Sequence, residues 1–217
     1  MLQSALICVI VGALLVVAWY GLFLRLNRRR ALRVLRWLEG ALASHGHICA
    51  VEWFSPSHFR ARLMLYGSSF QHPSLDARMA PREMPLRWAL WRWQRRQETL
   101  TFEADLPSPP RQSMEIGRAR GTGLTRRWMR IDGQWSTAKV VSLFISSQPE
   151  WQPEISSRMS AVVCARELEF LSIAFRPRTP HFSVTFLLRA SLVDPPGELK
   201  VFESLRELAE SSPTSRM

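Results

Sequence analysis

The amino-acid sequence predicts an α+β fold, in which an N-terminal transmembrane helix precedes one cytoplasmic domain with a largely antiparallel sheet and about three to four helices. Three observations support this expectation. An apolar run opens the chain, a basic segment of helical periodicity follows it, and several segments of alternating polarity follow from residue 48 onward. We expect an anchor at 1–27, a basic amphipathic juxtamembrane helix at 28–46, an α+β globular domain at 47–210 and a disordered tail at 211–217.

The first segment, Leu2 to Leu24, is apolar apart from two polar residues near its start. As a helix it rises roughly 34 Å, which is enough to cross a hydrocarbon core of about 30 Å. A cleaved signal peptide and a buried helix of a soluble protein are the alternatives. No basic residue precedes the run, however, and Trp19 and Tyr20 stand where a cleavage site needs small residues. Both aromatic side chains fit a membrane interface instead, so we expect a retained anchor.

The charges around the anchor predict its orientation. Because basic residues beside a transmembrane helix stay on the cytoplasmic side, we expect the N-terminus outside and the domain in the cytoplasm, at an inner or plasma membrane. The net charge of +11 is compatible with contact to anionic lipid, and three cysteines form no disulfide framework. The predicted contacts with the membrane surface are Trp19, Tyr20, Arg25, Arg28, Arg29, Arg30, Arg33 and Arg36.

Residues 28–46 have the two-faced pattern of an amphipathic helix. The basic side carries arginines together with Trp37, and Gly46 is expected to end the helix in a left-handed conformation. Either the helix lies in the interface with its arginines at lipid headgroups, or it continues the anchor and docks its apolar stripe on the globular domain. We favour docking, or a mixture of the two geometries, since a leucine stripe is more often part of a core. The stripe consists of Ala31, Val34, Leu35, Leu38, Ala41 and Leu42.

The globular domain is expected to begin with a β-hairpin. Residues 48–54 and 59–66 alternate in polarity, and Ser55-Pro56-Ser57 lies between them as a turn. Residues 67–84 show no period and contain glycine and prolines, so they are predicted to form a loop.

The least ordinary segment is a predicted short helix over 85–97, which starts at a proline. Its core side is expected to be Leu86, Ala89, Leu90 and Trp93. The opposite side interleaves tryptophan with arginine, a pattern that suits contact with lipid headgroups, a protein partner or single-stranded nucleic acid. Alternatively, these tryptophans pack under neighbouring loops. The predicted binding residues are Trp88, Trp91, Arg87, Arg92, Arg95 and Arg96.

The remaining elements follow from shorter patterns. Strands are predicted at 99–106, twice within 114–131, at 139–146, at 168–175 and at 182–188. Helices are predicted from Pro153 and over the stripe that begins at Leu199.

No motif indicates catalysis or a cofactor. His45, His47 and Cys49 alternate, but no complementary cluster follows, so we expect no metal. Gly121-Thr122-Gly123 is flanked by arginines but lacks the strand and helix of a nucleotide-binding loop. Hydrolase signatures are absent from the sequence, so we do not favour an enzyme.

We therefore expect a binding or scaffolding module at the membrane surface, with the membrane and another protein as partners and without a cofactor. Two alternatives stay open at this point. One is a membrane-surface enzyme that acts on a lipid or a phosphate-bearing substrate. The other is a membrane-tethered nucleic-acid binder, although nucleic acid is the partner that we favour least.

Overall fold

The computed structural model describes residues 2–67, 70–110, 113–118, 136–140, 143–147 and 170–188. Among these residues the chain forms two helices and nine strands, so the α+β class is confirmed, whereas three to four helices were expected. The predicted helices near residues 153 and 199 and the predicted tail lie outside the described residues. The helices are α1 (Leu2–Leu42) and α2 (Pro85–Trp93), and the strands are β1 (Gly46–Ser55), β2 (His58–Leu65), β3 (Gln71–Arg78), β4 (Thr99–Asp105), β5 (Met114–Arg118), β6 (Ser136–Val140), β7 (Leu143–Ser147), β8 (Phe170–Phe175) and β9 (Phe182–Leu187).

The strands form one antiparallel sheet in the order β1-β2-β3-β4-β9-β8-β5-β7-β6. Side chains alternate across the sheet. In the four neighbouring strands β2, β3, β4 and β9, one face is therefore apolar and the other is mostly polar. Two rows of paired residues show the apolar face: Phe59, Ala77, Leu100 and Phe186, and next to them Ala61, Leu75, Phe102 and Val184.

Helix α1 is continuous, so the predicted anchor and juxtamembrane helix are one element. Its 41 residues span about 62 Å. Residues 3–18 of α1 are exposed throughout. In the described part of the chain, α1 is the helix that is long and apolar enough to cross a membrane. Its second half belongs to the hydrophobic core of the sheet, through Ala31, Val34, Leu35, Leu38 and Leu42. Of the two geometries considered for 28–46, the docked one is observed.

Two predictions for α1 are wrong. Trp37 was placed on the basic side but is buried in the core, because it follows Val34 by three residues and so lies beside it on the helix surface. The helix ends at Leu42, and Gly46 instead starts β1 without a positive φ angle. Glycine is needed there because a Cβ atom would overlap the carbonyl oxygen of Met64 on β2.

The predicted hairpin is confirmed as β1 and β2, but the predicted loop over 67–84 contains strand β3. That strand pairs with β2 and β4, and the β3–β4 register shifts between Gln71 and Ser74. Pro73 lies within this irregularity, where a strand tolerates proline. A buried aspartate, Asp76, further hides the alternation from hydropathy patterns.

The strands β4, β8 and β9 match their predictions, and β5 begins the predicted segment 114–131, most of which lies outside the described residues. The single strand expected at 139–146 is two strands, β6 and β7, with Val140 paired to Leu143. The sequence between them has no glycine, asparagine or aspartate to indicate a hairpin.

Candidate functional site

Helix α2 lies beside α1 at the level of Trp19. The Trp19 and Trp88 rings have centroids 6.2 Å apart, and Trp19 Nε1 donates a hydrogen bond of 3.0 Å to the carbonyl oxygen of Arg82. Trp19 precedes Leu24 by five residues, which is about 7.5 Å along the helix axis. The α2 helix is therefore held next to the last turns of the apolar segment.

The apolar side of α2 is exposed, which corrects the prediction that it faces the core. Leu86 and Trp93 are each 82% exposed, Leu90 is 48% exposed, and Ala89 is also exposed. No residue of α2 is buried. The sequence pattern identified the two sides correctly but assigned the wrong one to the domain, since a stripe of apolar residues carries no information on what covers it.

The predicted binding residues lie on the opposite side and at the C-terminal end of α2. Trp88 and Trp91 are partly buried, so the packed alternative describes them better than full exposure. The guanidinium of Arg92 lies 5.7 Å from the Trp88 ring and that of Arg96 lies 5.9 Å from the Trp91 ring, within the range of cation–π contacts. Arg87 and Arg95 are exposed. The six residues thus lie along one short segment, in which Arg92 packs on Trp88 and Arg96 packs on Trp91.

The predicted membrane contacts on α1 divide into two groups. Arg30 is partly buried, and its guanidinium pairs with the Glu98 carboxylate at 2.6 Å. Trp19 is partly buried through the contacts described above, whereas Tyr20 is exposed. The remaining arginines of this set, Arg25, Arg28, Arg29, Arg33 and Arg36, are exposed.

A buried polar network joins α1 to the segment before α2. Asn27 Nδ2 donates hydrogen bonds to the Ala80 carbonyl oxygen at 3.2 Å and to the Glu83 carboxylate. Ser57, in the β1–β2 turn, donates to the other Glu83 oxygen at 3.0 Å. Sequence reasoning missed these residues, although a lone asparagine in the buried stripe of α1 was a usable signal.

A pocket of about 540 Å³ separates α2 from the sheet, and we name it the α2 pocket. Helix α2 and the residues after it supply one wall, and the β1–β2 turn and the end of β3 supply the other. No carboxylate is present among its described lining residues. Its lining includes the polar and aromatic side chains of Ser57, His58, Arg78, Arg87, Trp91 and Arg96.

Asp76 fixes the sheet wall of this pocket. Its carboxylate accepts hydrogen bonds from His58 Nε2 at 3.0 Å and from Arg78 Nε at 3.0 Å. Burial alone would raise the pKa of Asp76, but the His58 hydrogen bond and the charges of Arg78 and His58 outweigh it and lower that pKa below its ordinary value of 3.8. Asp76 is therefore a structural anion that orients the His58 ring and the Arg78 guanidinium.

The residues considered for metal binding have other contacts. His47 Nδ1 lies 2.8 Å from the Tyr66 hydroxyl, and His45 Nδ1 lies 2.7 Å from the Ser44 hydroxyl. In the described part of the chain no three His, Cys, Asp or Glu side chains are grouped to hold a metal ion. The Gly121-Thr122-Gly123 segment lies outside the described residues.

The sequence matches no protein-family model, and no curated protein is significantly similar to it. We therefore infer function from the geometry alone.

Proposed function

We propose that this chain is a single-pass membrane protein whose cytoplasmic α+β domain is a binding module held against the membrane surface, with another protein as its soluble partner. The observation that carries the proposal is the division of α1 into two halves. Its first half is apolar and exposed, and its second half is part of the domain core. A helix that is rigid across this junction fixes the height of the domain above the bilayer.

The contacts of Trp19 support a retained anchor over a cleaved signal peptide. Trp19 lies within the apolar segment, yet it bonds to Arg82 and packs on Trp88. Cleavage after Trp19 would remove both contacts from the mature protein.

The position of α2 supports direct contact with lipid. Its exposed side carries Leu86, Leu90 and Trp93, and arginines stand on its other sides. A helix of this composition binds in the interfacial plane with its apolar side toward the acyl chains. Because α2 is held beside the last turns of the apolar segment, that side meets lipid once α1 spans the bilayer.

The outer edge of the sheet supports a protein partner. Strand β1 is the first in the sheet order, and among the described strands only β2 pairs with it. Val51, Trp53 and Phe54 are exposed along it. Free strand edges with apolar side chains are sites where another chain can add a strand.

Orientation is tested with reporters fused after Met217. A reporter that works only in the cytoplasm should be active, and one that works only after export should be inactive. The opposite pattern would overturn the proposed sidedness.

Contact of α2 with lipid is tested by fluorescence quenching in vesicles of phosphatidylcholine brominated at shallow acyl positions. Replacing Trp93→Phe should reduce the quenchable fraction, because Trp93 is the exposed tryptophan of the lipid-facing side. Trp53→Phe on β1 is the matched control and should not lower the quenchable fraction. Equal effects of the two substitutions would contradict the placement of α2 in the interface.

The protein partner is tested by a photo-crosslinking residue at Val51 in native membranes. A discrete adduct with a second polypeptide is expected, and the same probe at exposed Glu39 on α1 should give none. Without an adduct at Val51, the domain has no partner at this edge.

A further inference from the structure

The α2 pocket has the charge of an anion-binding site. Three arginine side chains and one histidine line it, and no carboxylate is among its described lining residues. Asp76 holds Arg78 and His58 on the sheet side, as described above. On the helix side, Arg87 and Arg96 form no ion pair with any described residue, so their charges are not balanced within this part of the protein.

The arrangement favours a phosphate group over a simple carboxylate. Guanidinium groups present paired N–H donors that match phosphate oxygens, and several guanidinium groups can share the three or four oxygens of one phosphate. Two of the arginines come from α2 and its C-terminal extension and one comes from β3, so they approach the pocket from two walls.

The size and remaining walls of the pocket indicate more than a bare ion. A volume of about 540 Å³ lies in the range of small-molecule sites, about 300–1,000 Å³, and exceeds what one phosphate fills. The Trp91 ring adds apolar surface on the helix side. A glycerol backbone or an ester group attached to the phosphate would cover that surface.

We propose that the α2 pocket binds the phosphate group of a phosphate ester, through Arg78, Arg87 and Arg96. The ester is either the headgroup of an anionic phospholipid or a soluble phosphate ester. This inference rests on the proposed function only for the lipid source, because α2 then lies at the depth of the headgroups.

The test uses the full chain in nanodiscs of phosphatidylcholine, where the protein carries its anchor. The pocket variant is Arg87→Gln with Arg96→Gln. The matched control is Arg92→Gln with Arg95→Gln, which removes the same charge from the same segment but none of the pocket lining. Each pair also removes one arginine that lies over a tryptophan ring, so loss of a cation–π contact is matched as well.

One arm titrates glycerol 1-phosphate and follows tryptophan fluorescence. The other arm exchanges the protein into nanodiscs with one fifth phosphatidylglycerol and counts retained anionic lipid by native mass spectrometry after release into neutral detergent. In at least one arm the pocket variant should bind at least tenfold more weakly than the wild type, while the control changes less than threefold. The responding arm identifies the source of the phosphate.

Equal losses in the two variants would mean unspecific attraction to arginine and would overturn the inference, as would the absence of binding in both arms. Either failure is distinguishable from failure of the proposed function, because quenching of Trp93 by brominated phosphatidylcholine is measured without anionic phospholipid or a soluble phosphate ester.

Discussion

At the scale of single residues, Asp76 is a buried acid whose carboxylate is surrounded by basic side chains. Its carboxylate contacts His58, Arg60 and Arg78, and the side chain is only 5% exposed. An acid whose pKa is lowered by folding stabilises the folded state above its ordinary pKa, and this contribution is lost as the pH falls through the folded-state pKa. Asp76 is thus expected to favour folding at neutral pH and to lose that effect in acid.

We therefore predict that Asp76→Asn lowers the free energy of unfolding by about 1–3 kcal/mol at neutral pH, because the Arg60 and Arg78 guanidinium groups and the His58 ring lose their anionic partner. The difference from the wild type should begin to shrink as the pH falls below 3.8, where the carboxylate of the unfolded chain becomes protonated, and should be lost once the pH has fallen through the lower folded-state pKa. Denaturant titrations in detergent at several pH values measure both quantities. A difference that stays constant down to pH 2 would contradict a role for the charge.

Gly46 is a residue that the sequence singled out for the wrong reason. It was expected to end α1, but the close approach of β2 is what requires glycine at this position. Gly46→Ala should cost about 1–3 kcal/mol, as overpacking does in a well-packed site. Gly40→Ala, on an exposed part of α1 with open space around it, should instead stabilise the protein by about 0.4–1 kcal/mol. Melting temperatures of the two variants that shift in the same direction would contradict this assignment.

At the scale of elements, the sequence predicted those whose hydrophobic period is undisturbed. Strands β2, β4, β8 and β9 were predicted from their alternating polarity, and burial alternates most regularly along β2 and β4. Strand β1 was predicted from the same pattern, although it is exposed along most of its length in the sheet. Strand β3 escaped prediction because Pro73 and a buried, charge-paired Asp76 break its pattern, and neither the bulge nor the partners are visible before the fold is known. The exposure of α2 was missed for a related reason. The apolar residues of α2 do lie on one side of the helix. Whether other residues cover that side depends on where the helix lies beside α1, which the sequence of α2 does not show.

That position depends on the network of Asn27, Glu83 and Ser57, which fixes the segment before α2 to α1. We predict that Asn27→Ala destabilises the protein by about 1–3 kcal/mol, because it removes the amide that donates to Oε2 of the buried Glu83 carboxylate and one of the two donors to the Ala80 carbonyl oxygen. Gln97→Ala, at an exposed position after α2, should change stability by less than about 0.5 kcal/mol. Chemical denaturation of both variants in the same detergent provides the comparison. Equal stabilities would contradict the stabilising role of this hydrogen-bond network.

At the scale of the whole molecule, the long apolar helix and the α+β class were both predictable, since each follows from composition and period over many residues. The candidate site was predictable only as a list of side chains on one short helix. Its depth relative to the apolar segment and its pocket depend on contacts between positions more than 50 residues apart, such as Trp19 with Arg82. The hydrophobic period of a short sequence segment does not indicate a contact between such distant positions.

Because α1 joins the apolar segment to the core, it predicts where the chain can be shortened. Residues 3–18 are exposed, so deleting them removes no buried side chain and keeps the contacts of Trp19 and Asn27. That protein should unfold cooperatively. Deleting residues 2–42 instead strips Ala31, Val34, Leu35, Leu38 and Leu42 from the core. At about 1.5–3 kcal/mol for each of the four larger side chains, the loss is comparable to the whole stability of a domain, about 5–15 kcal/mol. The longer deletion should therefore melt without a cooperative transition or aggregate, and calorimetry in detergent distinguishes the two proteins. A cooperative transition after the longer deletion would mean that the sheet folds without α1, and the height of the domain above the membrane would then not be fixed by a shared helix.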